Sequence, residues 1–192
     1  MKRLLIATNN AGKVREIKAI LGGFYDGLVS LKDIGLDLNV VEDGDTFEQN
    51  AVKKAREAAM AAGCDALADD SGLCVEALNG APGVYSARYA GEDATDEANN
   101  QKLLAVMADV TDRRARFVSV VALVSGDKVT TACGEVGGEI KHEPSGSGGF
   151  GYDPLFYVPH LGQTFAEIPA ELKNTLSHRA RALAALRDKL SV

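Results

Sequence analysis

Short apolar runs bounded by polar, glycine-bearing turns alternate along this chain with stretches whose apolar residues recur every three or four positions. That alternation predicts an α/β protein. Leu4-Leu5-Ile6-Ala7 reads as a buried strand, and Thr8-Asn9-Asn10-Ala11-Gly12 as a polar turn. A helix is expected from about Lys13 to Leu21, with Val14, Ile17, Ile20 and Leu21 on its apolar face and Gly22-Gly23 ending it. Leu28 to Leu31 and Leu38 to Val41 are expected as short strands. Thr46 is placed to cap an alanine-rich helix from Phe47 to about Ala62, closed by Gly63. Ala66-Leu67-Ala68 then reads as a buried strand that delivers Asp69 and Asp70 to its end, where Gly72 lets the backbone turn.

Farther on, Asn79-Gly80-Ala81-Pro82-Gly83 is a turn by composition. An amphipathic helix follows from about Thr95 to Met107, with Asp96 and Glu97 in its first turn. Arg116 to Val124 is rich in β-branched residues and reads as a central strand. Ser125-Gly126-Asp127-Lys128 turns it back through Val129 to Val136. This antiparallel pair predicts a mixed sheet rather than an all-parallel one. The glycine- and serine-rich run from Pro144 leads straight into Phe150, Tyr152, Leu155, Phe156 and Tyr157, so it is a loop rather than a linker. Phe150 could stack on a flat base there or belong to the core, and Pro154 biases Asp153 toward an extended conformation. Ser177 is placed to cap a last helix, His178 to Leu190, with Ala180, Leu183, Leu186 and Leu190 as its buried stripe.

Composition narrows the function classes. With 192 residues and no stretch of linker composition, a single domain spanning residues 1–192 is expected. A net charge of −6 argues against a general binder of nucleic-acid polymers or of anionic membranes, so a phosphate ligand needs a local cationic patch. Cys64, Cys74 and Cys133 lie far apart without metal-binding spacing, which favours reduced thiols. The apolar run after Met1-Lys2-Arg3 is too short for a signal peptide, and no run is long enough to span a membrane. A cytoplasmic protein is expected.

Candidate chemistry gathers at three places. Adjacent Asp69 and Asp70 repel one another, and crowding them costs free energy unless a cation or hydrogen-bond donors neutralise them. A divalent-metal site serving a phosphate substrate and an ordinary solvated turn are both open readings. Strand, polar turn and helix with Lys13 at its start suit an anion, although the GxxxxGK[ST] loop is absent. Glu42, in the acidic run before Thr46, either complements a helix dipole or supplies a second metal carboxylate. Of Lys53 and Lys54, at least one should face solvent, and either could reach a phosphate. His178 and Arg179 stand in a helix first turn, where the dipole disfavours cations, so an acceptor-bearing ligand would account for them.

Six segments in this order resemble the inosine triphosphate pyrophosphatase family: Thr8 to Lys13, Ala68 to Leu73, Gly80 to Gly83, Ser86 to Tyr89, Gly148 to Pro154, and Ser177-His178-Arg179. The resemblance implies an α/β fold with a mixed, partly antiparallel central sheet, flanking helices, two lobes around a substrate cleft, and a homodimer. It implies hydrolysis of dITP, ITP or XTP to the monophosphate and pyrophosphate with Mg²⁺ as cofactor. Thr8, Asn9, Asn10, Ala11, Gly12, Lys13 and Lys54 would then hold the triphosphate, and Glu42 and Asp70 the metal. Asp70 would be the base, with Asp69 beside it. Ser71, Phe150, Gly151, Tyr152, Asp153, Lys173, His178 and Arg179 would surround the nucleoside. One departure stands out: the family commonly has Thr-Phe-x-Glu-Asn-Ala, and this chain has Thr46-Phe47-Glu48-Gln49-Asn50-Ala51. Gln49 lacks the charge, so an electrostatic role at that position is not expected to carry over.

Overall fold

The computed structural model describes residues 3–25 and 27–190; Met1 and Lys2 of the basic N-terminal run lie outside the described residues. Its elements are, in chain order, β1 (Leu4–Ile6), α1 (Ala11–Leu21), β2 (Leu28–Ser30), α2 (Phe47–Ala62), β3 (Asp65–Val75), α3 (Asp96–Val106), β4 (Arg114–Ser125), β5 (Lys128–Ile140), β6 (Phe156–Val158), β7 (Gln163–Thr164), α4 (Ala170–Leu176) and α5 (His178–Leu190). The strands form one seven-stranded sheet in the order β2-β1-β3-β4-β5-β6-β7. β1 pairs in parallel with β2 and β3, whereas β6 is antiparallel to β5 and β7. The mixed sheet with flanking helices that the sequence predicts is therefore present.

The chain divides into two compact units. One contains the residues up to Asp70, Ser119–Gly134 and the chain from His178; the other contains Ser71–Val118 and Glu135–Ser177. In the first unit, alternation along the strands sorts two cores onto the two sheet faces. Leu4, Ile6, Leu67, Val121 and Leu123 pack with Ile17 and Leu21 of α1 and with Ala182, Leu183 and Leu186 of α5. Leu5, Ala66, Ala68, Val120, Ala122 and Val124 pack with Ala51, Ala55 and Ala58 of α2. The alanines on strand and helix alike let α2 approach its face closely, while the leucine-rich face carries two helices. In the second unit Leu103 and Met107 at the end of α3 join Leu73, Phe117, Phe156 and Phe165 in a separate core. Phe117 and Phe165 stack with ring centroids 5.9 Å apart.

Several expectations are corrected. β3 does not end at the aspartates: it is one strand of 11 residues that runs through Asp69, Asp70, Ser71 and Gly72 to Val75. Gly72 is not among the glycines with positive φ, so no sharp turn forms there. Leu38–Val41 forms no strand, and the Leu38 carbonyl accepts instead from the Asn9 side chain at 2.9 Å. Helix α1 starts at Ala11 rather than Lys13, because the Asn10 side chain caps it by accepting from the Lys13 backbone N–H at 3.0 Å. Asp153 lies in a turn, with its N–H bonded to the Phe150 carbonyl, rather than in extended chain. β5 runs four residues past the expected Val136, to Ile140.

Candidate active site

The first unit places its charged groups by continuing the strand pattern just described. In β3, odd positions face α1 and α5 and even positions face α2, so Leu67 is followed on its side by Asp69 and Ala68 on its side by Asp70. Two neighbours in sequence thereby enter two different environments. Both are buried.

Asp69 has no exposed surface and is surrounded by donors. Arg179 of α5 reaches it twice, Nη2 to Oδ1 at 3.0 Å and Nε to Oδ2 at 3.2 Å. Lys13 Nζ lies 2.8 Å from Oδ1, and the Ser119 hydroxyl donates to Oδ2 at 2.5 Å. Burial alone would raise the Asp69 carboxyl, but the positive charges of Arg179 and Lys13 overcome it and hold the group well below the usual carboxylate range. Arg179 is itself fully buried, and its Nη1 donates to Glu16 of α1. Burial opposes the guanidinium charge, and Asp69 and Glu16 more than restore it. The dipole penalty for a cation in a helix first turn is thus offset by two carboxylates. Gly134 of β5 seats this helix end, because a Cβ there would stand 2.3 Å from the His178 carbonyl oxygen and the Ala182 nitrogen.

Asp70 meets a different set. Lys54 of α2, also buried, donates to Asp70 Oδ1 at 2.9 Å, to Glu42 Oε1 at 2.8 Å and to the Asp69 carbonyl at 2.9 Å. Asn50 Nδ2 donates to Asp70 Oδ2 at 3.2 Å, and its Oδ1 accepts from the Gly44 N–H at 2.8 Å. Burial raises the Asp70 carboxyl; Lys54 and Lys13 pull it down, Glu42 pushes it up again, and it remains above its ordinary value. Burial likewise disfavours the Lys54 ammonium, but Asp70 and Glu42 leave its pKa raised. Lys53, by contrast, pairs with exposed Asp43. Among the described residues no group of three or more His, Cys, Asp or Glu is arranged to hold a metal ion. Glu42 and Asp70 nevertheless converge on one cation, the Lys54 ammonium, and Mg²⁺ needs only one or two carboxylates when waters and phosphate oxygens complete its shell. The donor set fits the ion.

At the α1 entrance, Thr8 Oγ1 accepts from the Asn10 N–H at 3.2 Å, Asn9 and Ala11 are exposed, and Gly12 is buried. At the position where the resemblance expects Glu, Gln49 Oε1 accepts from the Asp45 N–H just ahead of the Thr46 cap at 2.7 Å, a bond that needs an acceptor and no charge. Glu48 turns elsewhere and accepts from the Thr131 hydroxyl at 2.6 Å.

In the second unit, Asp153 is the organising group. Its Oδ2 accepts from Lys173 Nζ of α4 at 2.5 Å and from the Phe150 N–H at 2.9 Å. The same ammonium lies 4.8 Å from the centroid of the half-buried Phe150 ring, within cation–π range. Gly149 has φ +72°, and a Cβ on it would fall 2.0 Å from Asp153 Oδ2, so only glycine leaves room for that carboxylate. Tyr152 is buried, donates its hydroxyl to the Ser86 carbonyl at 2.7 Å, and has its pKa raised chiefly by burial. Ser71 is half-buried on β3, and His178 is buried at the start of α5.

The structure therefore brings Lys13, Lys54, Glu42, Asp69, Asp70 and Arg179 into one network, and Phe150, Asp153 and Lys173 into another. Glu16, Asn50 and Ser119 belong to the first network and were not foreseen as site residues. Their sequence signal is weak or misleading. Periodicity puts Glu16 on the solvent face of α1, where the structure buries it against Arg179. Asn50 is one helix residue among many, and Ser119 lies within an apolar strand.

Comparison with known proteins agrees in one direction. A family model described as the Ham1 family matches residues 4–189. A dITP/XTP pyrophosphatase of Geobacter sulfurreducens is 56% identical over 193 residues, covering 99% of this chain and 97% of that protein. A dITP/XTP pyrophosphatase of Escherichia coli is 49% identical over 195 residues, covering 99% and 98%. The solved structure of a HAM1 protein from Coxiella burnetii superimposes with a TM-score of 0.88 at 42% identity, covering 100% of this chain and 99% of that one.

Proposed function

We infer the function from the premise that this chain belongs to the Ham1 family: it is a nucleoside triphosphate pyrophosphatase that hydrolyses non-canonical purine nucleotides such as dITP, ITP and XTP to the monophosphate and pyrophosphate. The observation that carries the reading is the unequal pair on β3. One carboxylate is held by Arg179, Lys13 and the Ser119 hydroxyl, and its neighbour shares the Lys54 ammonium with Glu42. Such a pair separates an electrostatic anchor from a proton acceptor.

In this reading Lys13, the N–H groups at the start of α1 and Lys54 receive the phosphates. A water attacks the α-phosphorus, its proton passes to Asp70, and the bond to the leaving pyrophosphate breaks. Lys13 and Lys54 offset the charge that builds on that leaving group. Glu42 and Asp70 would hold Mg²⁺, which when bound neutralises phosphate charge. Asp69 stays ionised and keeps Lys13 and Arg179 in place.

The nucleoside residues that the family resemblance implies are Ser71, Phe150, Gly151, Tyr152, Asp153 and Lys173 in the second unit and His178 and Arg179 in the first. Phe150 stacks on the base. Asp69 and Glu16 fix the orientation of the Arg179 guanidinium, and donors from Arg179 or from the N–H groups at the start of α5 would pair with the oxygen at position 6 of hypoxanthine or xanthine. Adenine presents an amino donor at that position, and a buried mismatch costs on the order of 1–3 kcal/mol. Clearance of such nucleotides from the cellular pool, a homodimer and a cytoplasmic location belong to the same reading; sedimentation of the purified protein tests the dimer.

The deciding experiment is a panel of nucleoside triphosphates assayed with and without Mg²⁺, scoring pyrophosphate against orthophosphate. The reading predicts Mg²⁺-dependent pyrophosphate release, faster from dITP, ITP and XTP than from ATP. Orthophosphate as the product, or equal rates on ATP and ITP, overturns it.

A further inference from the structure

Helix α3 carries polar side chains where a helix of a compact unit normally carries apolar ones: Asn99 and Asn100 are both buried. Each grips backbone of a different loop. Asn99 accepts from the Ala90 N–H at 2.7 Å and donates to the Ala87 carbonyl at 3.0 Å. Asn100 Nδ2 donates to the Gly151 carbonyl at 3.0 Å, and the Gly151 N–H donates to Asp96 Oδ2 at 2.7 Å. Asp96 and Asn100 stand four residues apart, one above the other on the same helix face. Together they hold both polar groups of a single residue, one from each side.

That residue is not an arbitrary one. Gly151 has φ +62°, a left-handed conformation that only glycine adopts freely. It lies directly after Phe150, whose N–H bonds Asp153 and whose ring lies beside Lys173. The Phe150–Asp153 turn is thus tied inside by Asp153 and Lys173 and outside by α3. The Asn100 Oδ1 atom is buried without a hydrogen-bond partner. An unsatisfied buried acceptor is costly, which makes the amide hard to account for as packing and easier as a donor to the Gly151 carbonyl.

We propose that Asp96 and Asn100 are positioning residues, which fix the Gly151 peptide and through it set the Phe150 ring for the nucleoside. The proposal rests on the reading that the Phe150–Asp153 turn takes the nucleoside. It concerns the base end of the substrate alone, so loss of the clamp should weaken everything that contains the base and nothing that consists of phosphates only.

The test is steady-state hydrolysis of ITP by Asp96→Ala, Asp96→Asn and Asn100→Ala, with inhibition by inosine monophosphate and by pyrophosphate measured on the same proteins. For the two alanine variants, KM for ITP and the inhibition constant of inosine monophosphate are expected to rise together by about tenfold, as loss of one hydrogen bond to a substrate-holding loop would give. The turnover number should stay within about twofold and the pyrophosphate constant should not move. Asp96→Asn keeps an acceptor oxygen and should restore both constants. A merely structural role would lower the melting temperature without splitting KM from kcat. Unchanged KM in Asp96→Ala, or an equal rise in the pyrophosphate constant, overturns the proposal. Asp96 is exposed, so this variant remains decisive even where Asn100→Ala fails to fold. Failure of the underlying reading looks different: Phe150→Ala would then leave KM for ITP and the inosine monophosphate constant unchanged, whereas failure of the clamp alone leaves Phe150→Ala impaired and Asp96→Ala normal.

Discussion

Asp69 and Asp70 are joined by one peptide bond and occupy opposite chemical worlds. On the α1/α5 side, Asp69 has two full positive charges and a hydroxyl to compensate its burial. On the α2 side, Asp70 shares its principal cation with Glu42 and receives one amide from Asn50. The strand repeat alone produces this separation, because adjacent side chains of β3 point to opposite faces. Burial is similar for the two, so burial does not decide their character. The ratio of donors to carboxylates does: it is generous around Asp69 and poor around Asp70. A structural charge wants the first environment, and a group that must exchange a proton wants the second.

The sharpest way to break this contrast is to neutralise each carboxylate in turn. Asp69→Asn leaves Arg179 buried with one carboxylate partner, and removing one member of a buried ionic network typically costs about 3–5 kcal/mol. A clear fall in the urea midpoint is expected. Asp70→Asn removes a charge that its surroundings disfavour, so its unfolding midpoint should equal or exceed that of the unmodified protein. Equal destabilisation by the two variants would remove the distinction.

A smaller effect is expected from Gly134→Ala. Its Cβ would meet backbone of α5 at 2.3 Å, and overpacking of this kind costs about 1–3 kcal/mol. Because the displaced helix end carries Arg179, turnover should fall along with stability, which thermal unfolding and ITP hydrolysis on the same sample can check.

Smallest is the pH response, and its sign differs between the two residues. The Asp69 pKa is depressed on folding, so its contribution to stability is complete above the unfolded value and is lost as pH falls through the folded one. The Asp70 pKa is raised, so the folded state holds a proton that the unfolded chain releases, and stability declines as pH rises through that interval above 3.8. Unfolding midpoints taken from acid to neutral pH should therefore lose their acid-side fall in Asp69→Asn and their shallow decline above 3.8 in Asp70→Asn.

Much of this arrangement is written locally in the sequence. Periodicity places α1, α2, α3 and α5 to within a few residues, and Thr46 is legible as the cap of α2; Asn10 and Thr95 read as turn and helix but cap α1 and α3. The β3 boundary is misplaced for the opposite reason. Asp-Asp-Ser-Gly is turn chemistry when isolated, and only pairing with distant strands keeps it extended. The short helix α4 and the strands β6 and β7 have too few residues for a period to show. At the site, the residue types admit charge and phosphate, but Asp69-Asp70 also reads as a solvated turn and Lys13 as a surface lysine until the six segments are taken together. The partners that give each aspartate its character do not: Ser119 lies 50 residues from Asp69, Arg179 lies 110 away, and Glu16 lies 163 from Arg179. Spacing along the chain carries no trace of such contacts.

The central claim is that Asp70 is the proton acceptor and that its neighbour is an anchor. Turnover of ITP by Asp70→Asn, measured on protein whose unfolding midpoint is recorded in the same preparation, tests it most directly. The account predicts a fully folded variant with kcat lower by about 10²–10⁴-fold, the usual contribution of a positioned general base. Near-normal turnover in a folded Asp70→Asn protein would contradict it.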